Sequence, residues 1–247
     1  LKNNKIEIFS FLKNGHYTKA SELYSDLYTT YKSTNYYQGL IECYFSLNQI
    51  DDAEKLVKKH AKKENNASIL VDYAHVYILK EEDKKAKKKF NELFKLLESN
   101  PQYTISVANK LTKYNYLEEA VKAYEIALKD PSKSSYRFKL ARIYGRLNNL
   151  EMMYENYLEV VMSNKAYLKN VKNMLGRTIS KDSENENNVL LKSILLNKAQ
   201  QSNNQNIAEL LIWLFVQEKN FDAALDQEKA MDQKWNLTQK NVFKLAN

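Results

Sequence analysis

Asn115–Pro131 reads NYLEEAVKAYEIALKDP. Small Ala120 and Ala127 alternate with bulky Tyr116 and Tyr124 at helical spacing, and Pro131 closes the stretch. Whether this arrangement recurs decides the fold. With Ala120 as an anchor, the same setting is met at Ala20 in HYTKASELYSDL, Ala53 in IDDAEKLVKKH, Ala86 in DKKAKKKFNEL and Met153 in LEMMYENYLEV. The steps between successive anchors are 33, 33, 34 and 33 residues. A period this regular marks a stacked repeat array.

The other positions keep the register. Four residues after each anchor stands Tyr24, Val57, Phe90, Tyr124 or Tyr157; three residues before it stands Tyr17, Ile50, Asp83, Leu117 or Leu150. Asp83 breaks the apolar pattern. Upstream lies a second cluster: Leu40, Ile41 and Tyr44; Tyr73, Ala74 and Tyr77; Val107, Ala108 and Leu111; Leu140, Ala141 and Tyr144. The spacing i, i+1, i+4 is one face of a helix. Each repeat is therefore expected to be two amphipathic helices. The small anchor lets them approach closely, and the aromatic one turn later fills the groove between them. Pro101 and Pro131 fall where second helices end.

These offsets are similar to those of the tetratricopeptide repeat family. The resemblance implies an all-α, right-handed superhelical solenoid of about seven helical hairpins. It is clearest over five repeats at 1–166. Residues 167–200 form a divergent repeat: MLGRTI (Met174–Ile179) resembles the Leu-Gly pair of a first helix, a polar link SKDSENENN follows at 180–188, and VLLKSILLNKA supplies a second helix without a small anchor. The link is the expected joint. The pattern returns over 201–247, with Phe221 and Ala224 in register, and NLTQKNVFKLAN starts a further or capping helix.

Composition agrees with long helices. Four Gly and two Pro leave little punctuation for sheets or tight loops. Phosphate-cradling glycine loops cannot be built from so few glycines. One cysteine, Cys43, excludes an internal disulfide; set in IECYF, it reads as a small buried hydrophobe. His16, His60 and His75 lack metal-ligand spacing and read as surface residues. Asp51, Asp52, Glu118 and Glu119 sit at helix starts, where they complement the helix dipole. No catalytic residue, metal or cofactor is implied. The longest apolar run, Leu210–Val216, is well short of the roughly 18 residues that span a bilayer. The chain starts with Leu rather than Met, as expected of a processed protein or a segment of a longer one.

The net charge is +8, which can signal an acidic partner. The densest run, KKAKKKF (Lys84–Phe90), follows Glu81, Glu82 and Asp83 and precedes Glu92. It reads as a solvated helix face with internal compensation. Stacked hairpins line a concave groove with their first helices, and in the family that groove often receives a peptide or a partner's helix. The register places Asn109, Lys113, Lys139, Arg142, Arg146, Asn173 and Arg177 on that face, a basic and amide-rich set. Gln38, Glu42, Phe45, Val71, His75 and Ile78 form a more apolar stretch of it. Arg and Asn offer several fixed donors to carboxylates, and some family members clamp a peptide's terminal carboxylate with such residues; here the match to that pattern is partial. Trp213, Phe215 and Trp235 form a second candidate docking surface.

The expected function is a non-enzymatic protein-interaction scaffold or adaptor, binding an extended or helical, acidic partner segment within a larger assembly. The alternatives are a nucleic-acid-binding helical-repeat protein and a regulatory segment of a larger enzyme. The stretch LLIWLFVQEKNFDAAL resembles long repeat proteins of bacterial cell envelopes, which implies a periplasmic or envelope-associated location, with the cytoplasm as the alternative.

Overall fold

A computed structural model describes residues 2–62 and 66–236. Among them are fourteen α-helices. They run α1 (Lys2–Lys13), α2 (Tyr17–Tyr31), α3 (Thr34–Ser46), α4 (Ile50–Ala61), α5 (Ala67–Leu79), α6 (Asp83–Ser99), α7 (Thr104–Lys113), α8 (Leu117–Ala127), α9 (Arg137–Arg146), α10 (Leu150–Ser163), α11 (Leu168–Leu175), α12 (Glu186–Gln201), α13 (Gln205–Gln217) and α14 (Phe221–Trp235). Seven consecutive pairs result, as the repeat period requires. The further helix expected from NLTQKNVFKLAN lies, past Asn236, outside the described residues.

Six of the seven turns within pairs are built alike. The second helices begin at Tyr17, Ile50, Asp83, Leu117, Leu150 and Phe221, each three residues before its anchor. Five residues before the anchor the backbone turns left-handed, at Gly15, Asn48, Glu81, Asn115, Asn148 and Lys219. The next N–H then reaches back five residues: His16 to Phe11, Gln49 to Tyr44, Glu82 to Tyr77, Tyr116 to Leu111, Asn149 to Tyr144 and Asn220 to Phe215, at 2.8 to 2.9 Å. This closure satisfies carbonyls that the first helix leaves open at its end. Asp83, out of place by hydropathy, is the exposed first residue of α6. There its carboxylate meets the positive end of the helix dipole.

The pairs pack through the anchors. Ala20, Ala53, Ala120 and Ala224 are fully buried, and Ala86 and Met153 nearly so. Space between helices is short enough that a Cβ added at Gly39 of α3 would land in the Tyr24 ring of α2. Large side chains fill the remainder, among them Tyr37, Tyr124, Tyr154, Tyr157, Leu93 and Leu195. Each such burial contributes about 1.5–3 kcal/mol. Pro101 and Pro131 each open a short 3-10 turn that leads into the next first helix.

The chain divides into two compact units, Leu1–Ile126 and Ala127–Asn247. In the second unit α10 packs against α9, α11, α12 and α13. The sixth pair departs from the others. α11 ends at Leu175, so Gly176 caps the first helix instead of lying inside it, and its φ is not left-handed. The link after it is fastened. Asn188, fully buried, accepts from the Ser180 N–H at 2.9 Å and donates to the Ser180 carbonyl at 3.0 Å and to Glu218 Oε1 at 3.1 Å. Lys192 pairs with the same Glu218 at 3.0 Å.

Candidate functional site

In the first unit the polar groups of the first helices converge on one carboxylate. Asp72 of α5 is fully buried. It accepts from the Tyr37 hydroxyl of α3 at 2.8 Å, from the Tyr114 hydroxyl at the end of α7 at 2.8 Å, and from Lys110 Nζ of α7 at 2.6 Å. A buried charge is tolerable only when paired and hydrogen-bonded, and Asp72 has both. Aromatic rings extend the network on each side. His60 stacks on Tyr37 at 3.8 Å, and its Nδ1 lies 3.0 Å from the Tyr28 hydroxyl. His75 stacks on Tyr114 at 4.2 Å, and its Nδ1 lies 2.6 Å from the Tyr116 hydroxyl. Phe45 sets its edge against His75 at 4.6 Å.

Two expectations fail here. His60 is 1% exposed and His75 is half-buried, so neither is a surface histidine. Imidazole has both a flat face for stacking and ring nitrogens for tyrosine hydroxyls, and the tyrosine-rich interior uses both. Burial holds the His75 pKa down, to about 4, against the opposing pull of Asp72. The Tyr114 hydroxyl is pushed well up, first by burial and then by the adjacent Asp72 charge; that of Tyr116 is raised to about 12, first by burial and then by the Glu119 charge. Cys43 is buried as expected, its thiol raised to about 11 by burial. Sequence reasoning missed Asp72. The signal was present: it is the sole charged residue of ASILVDYAHVYIL, the otherwise apolar α5.

The seven residues expected on the groove face are all exposed. They divide between the units. Asn109 and Lys113 belong to the first, where Lys113 forms an ion pair with Glu42 of α3. An acid thus does meet this set, which the residues of α7 alone did not reveal. Lys139, Arg142, Arg146, Asn173 and Arg177 belong to the second unit, on α9 and α11 or just beyond. Among the described residues Lys139, Arg142 and Arg177 have no ion-pair partner. Several other lysines of this unit are paired: Lys172 with Glu209 at 2.8 Å, Lys192 with Glu218, and Lys198 with Glu155 at 2.8 Å and Glu159 at 2.6 Å. Arg142 and Arg177 both act on one group, the Tyr157 hydroxyl of α10. Burial raises its pKa to about 12, and the two guanidinium groups oppose that rise.

The lysine run of α6 is compensated as expected: Lys85 pairs with Glu82 and Lys89 with Glu92, each at 2.7 Å. Lys85 and Lys89 also lie over the Tyr77 and Tyr73 rings. In the C-terminal pair Leu210, Leu211, Ile212 and Leu214 are buried, while Trp213, Phe215 and Trp235 are half-buried. Phe215 and Trp235 pack on the core of Ile212, Ala224 and Met231. Beside Trp235 a cavity of about 200 Å³ is lined by Leu211, Met231 and Lys234. Among the described residues no three potential metal ligands come together, and no helix is long and apolar enough to cross a membrane.

No family model matches the chain, and no curated protein does. Solved structures of tetratricopeptide repeat proteins do. The C-terminal part of a repeat protein from Cytophaga hutchinsonii is 14% identical, with 98% of each chain covered and a TM-score of 0.34. The TPR2AB domain of yeast Sti1, solved in a pHSP90 complex, is 13% identical over 99% of this chain and 96% of that one, with a TM-score of 0.34. YrrB, described as having an unusual peptide-binding site, is 16% identical over 62% of this chain and 81% of that one, with a TM-score of 0.32. Scores this low add nothing to what the chain itself displays. Its period of 33 to 34 residues, its buried anchors and its six identical turns give it a tetratricopeptide-type repeat fold.

Proposed function

We propose that the chain is a non-enzymatic protein-interaction scaffold, and that the exposed face of α9 and α11 captures an acidic segment of its partner within a larger assembly. One observation carries this reading. Among the described residues Lys139, Arg142 and Arg177 stand exposed without an ion-pair partner, in a unit where Lys165, Lys172, Lys192 and Lys198 are held in ion pairs. Exposed guanidinium and ammonium groups pay little to meet a carboxylate, and their fields steer an acidic chain on approach. Asn173 adds an amide to the same set.

The test is charge reversal. Lys139→Glu, Arg142→Glu and Arg146→Glu are combined in the full-length protein, and partners are captured by crosslinking in native cells. The partner set should vanish with helicity by circular dichroism unchanged. Capture that survives the triple change removes the basic face from the reading. Recovery of nucleic acid that washes off steeply with salt would replace the scaffold reading. The envelope location implied by the C-terminal resemblance belongs to the same proposal, and fractionation of those cells tests it.

A further inference from the structure

We infer that Asn14 is a site of self-modification, in which the Gly15 backbone nitrogen closes on the Asn14 side-chain amide and water then leaves aspartate or isoaspartate, and that the change loosens α1 from α2. Asn14 and Gly15 are the one Asn-Gly pair in the chain, and they form the turn between those helices. Both are exposed, and the Asn14 side-chain amide has no hydrogen bond among the described residues. Gly15 holds a φ of +72°, and a Cβ added there would meet nothing within 4 Å. Glycine crosses between backbone regions more freely than any other residue, so this turn can swing its nitrogen towards the amide carbon.

The related turns are closed to the same reaction. Asn48, Asn115 and Asn148 are followed by Gln49, Tyr116 and Asn149, whose N–H groups donate to the Tyr44, Leu111 and Tyr144 carbonyls at 2.8, 2.8 and 2.9 Å. In those turns the attacking nitrogen would be the one that closes the turn. In the first turn His16 makes the closure, to the Phe11 carbonyl at 2.8 Å, and the Gly15 N–H reaches only the Leu12 carbonyl at 3.2 Å. A local opening therefore frees the Gly15 nitrogen without undoing the closure.

The atoms balance with water alone. The Gly15 nitrogen bonds to Asn14 Cγ as the Cγ–Nδ2 bond breaks, and ammonia leaves with the proton that the nitrogen gave up. Water opens the five-membered imide at Cγ to give aspartate, or at the Asn14 main-chain carbonyl to give isoaspartate. Either product sets a carboxylate at the C-terminal end of α1, where the helix dipole opposes it. Isoaspartate also adds a CH2 to the backbone of a turn held by the His16–Phe11 hydrogen bond and by the edge contact of the same two rings at 6.4 Å.

The 247-residue chain is aged at pH 8, folded and in urea, and its peptides are mapped by mass spectrometry with fragmentation that separates isoaspartate from aspartate. In the folded chain Asn14 should exchange its NH2 for OH about tenfold or more faster than Asn48, Asn115 or Asn148, whose following nitrogens must first be released by opening. Conversion should slow at pH 6, because the attacking nitrogen must shed its proton, and Asn14→Gln should abolish it, because the larger ring closes slowly. In the aged chain the amide hydrogens of Lys2–Lys13 should exchange severalfold faster than in the fresh chain, with those of α9 to α14 unchanged. Asn14→Asp, which adds the charge without the extra CH2, should raise that exchange less. Asn14 that converts in urea but persists in the folded chain overturns the inference, as does a folded-chain rate no greater than that of Asn48. Conversion that leaves α1 exchange unchanged overturns the loosening.

Discussion

Asp72 and Lys139 hold the same place in their repeats, fourteen residues before the anchors Ala86 and Met153, and His75 and Arg142 share the place three residues later. The first unit turns that register inward. Asp72 is fully buried under Tyr37, Tyr114 and Lys110, and His75 is half-buried against Tyr114. The second unit turns it outward, with Lys139 and Arg142 exposed and, among the described residues, without an ion-pair partner. A repeat register fixes which helix face a residue is on. It does not fix whether that face is a strap or a surface. Neighbouring repeats decide that, by supplying hydroxyls and an ammonium to reach over the residue or by supplying nothing.

The sharpest way to break this contrast is to truncate both positions. Asp72→Ala leaves Lys110 without its acid and two tyrosine hydroxyls without their acceptor in the interior. Breaking a buried pair from one side costs about 3–5 kcal/mol. Lys139→Ala and Arg142→Ala should each stay within about 0.5 kcal/mol, as exposed substitutions do. Urea unfolding followed by circular dichroism measures all three. A small cost for Asp72→Ala would mean that the network does not hold α3, α5 and α7 together.

The repeat was legible because it is set by volume. Anchors such as Ala53 and Ala120 need only be small, and aromatics such as Tyr124 need only be large, so spacing in one dimension reports packing in three. The second-helix starts followed from the same register, Asp83 included. The Asp72 strap was not legible in that way. Its partners Tyr37, Lys110 and Tyr114 lie 35, 38 and 42 residues away, in different repeats, and no periodic pattern links a carboxylate to them. The histidines misled for a related reason. His60 stands among lysines in KKHAKK and His75 among apolar residues in YAHVY, but what buries each is a tyrosine from beyond its own helix. The exposed set on α9 and α11 was readable from register alone; the lack of ion-pair partners for Lys139, Arg142 and Arg177 among the described residues needed coordinates.

The two faces should also differ in their response to acid. His75 is neutral in the folded chain, with its pKa lowered from 6.5 to about 4 by burial. The charged group that acts on it is Asp72 on its own helix, which Lys110 of α7 pairs with. The unfolded chain takes up the proton near pH 6.5 and the folded chain resists until about 4. Stability is therefore complete above pH 6.5 and declines as pH falls towards 4. With allowance for partial exposure, the loss is about 1–2 kcal/mol. His75→Gln should flatten this part of the stability profile relative to the parent chain, whereas Arg142→Gln, in the matching register, should leave it unchanged. Parallel profiles for the parent and His75→Gln would show that another group governs acid stability.

The smallest effect separates good turns from strained ones. Of the six left-handed turn positions, Gly15, Asn48, Asn115 and Asn148 suit the conformation, since glycine lacks a Cβ and asparagine tolerates it through local hydrogen bonding. Glu81 and Lys219 hold φ of 59° and 58° without either advantage. Both are exposed, so replacement disturbs no packing. Glu81→Asn and Lys219→Asn should each gain about 0.5–1 kcal/mol, read as a rise in the thermal midpoint. Glu81→Gly should gain less than Glu81→Asn, because glycine gives part of the benefit back as entropy in the unfolded chain. The reciprocal change, Asn115→Glu, should cost a similar amount. If Glu81→Asn gains nothing while Asn115→Glu costs stability, the asparagines act through side-chain bonds of their own turns, and the six turns are alike in backbone but not in what stabilises them.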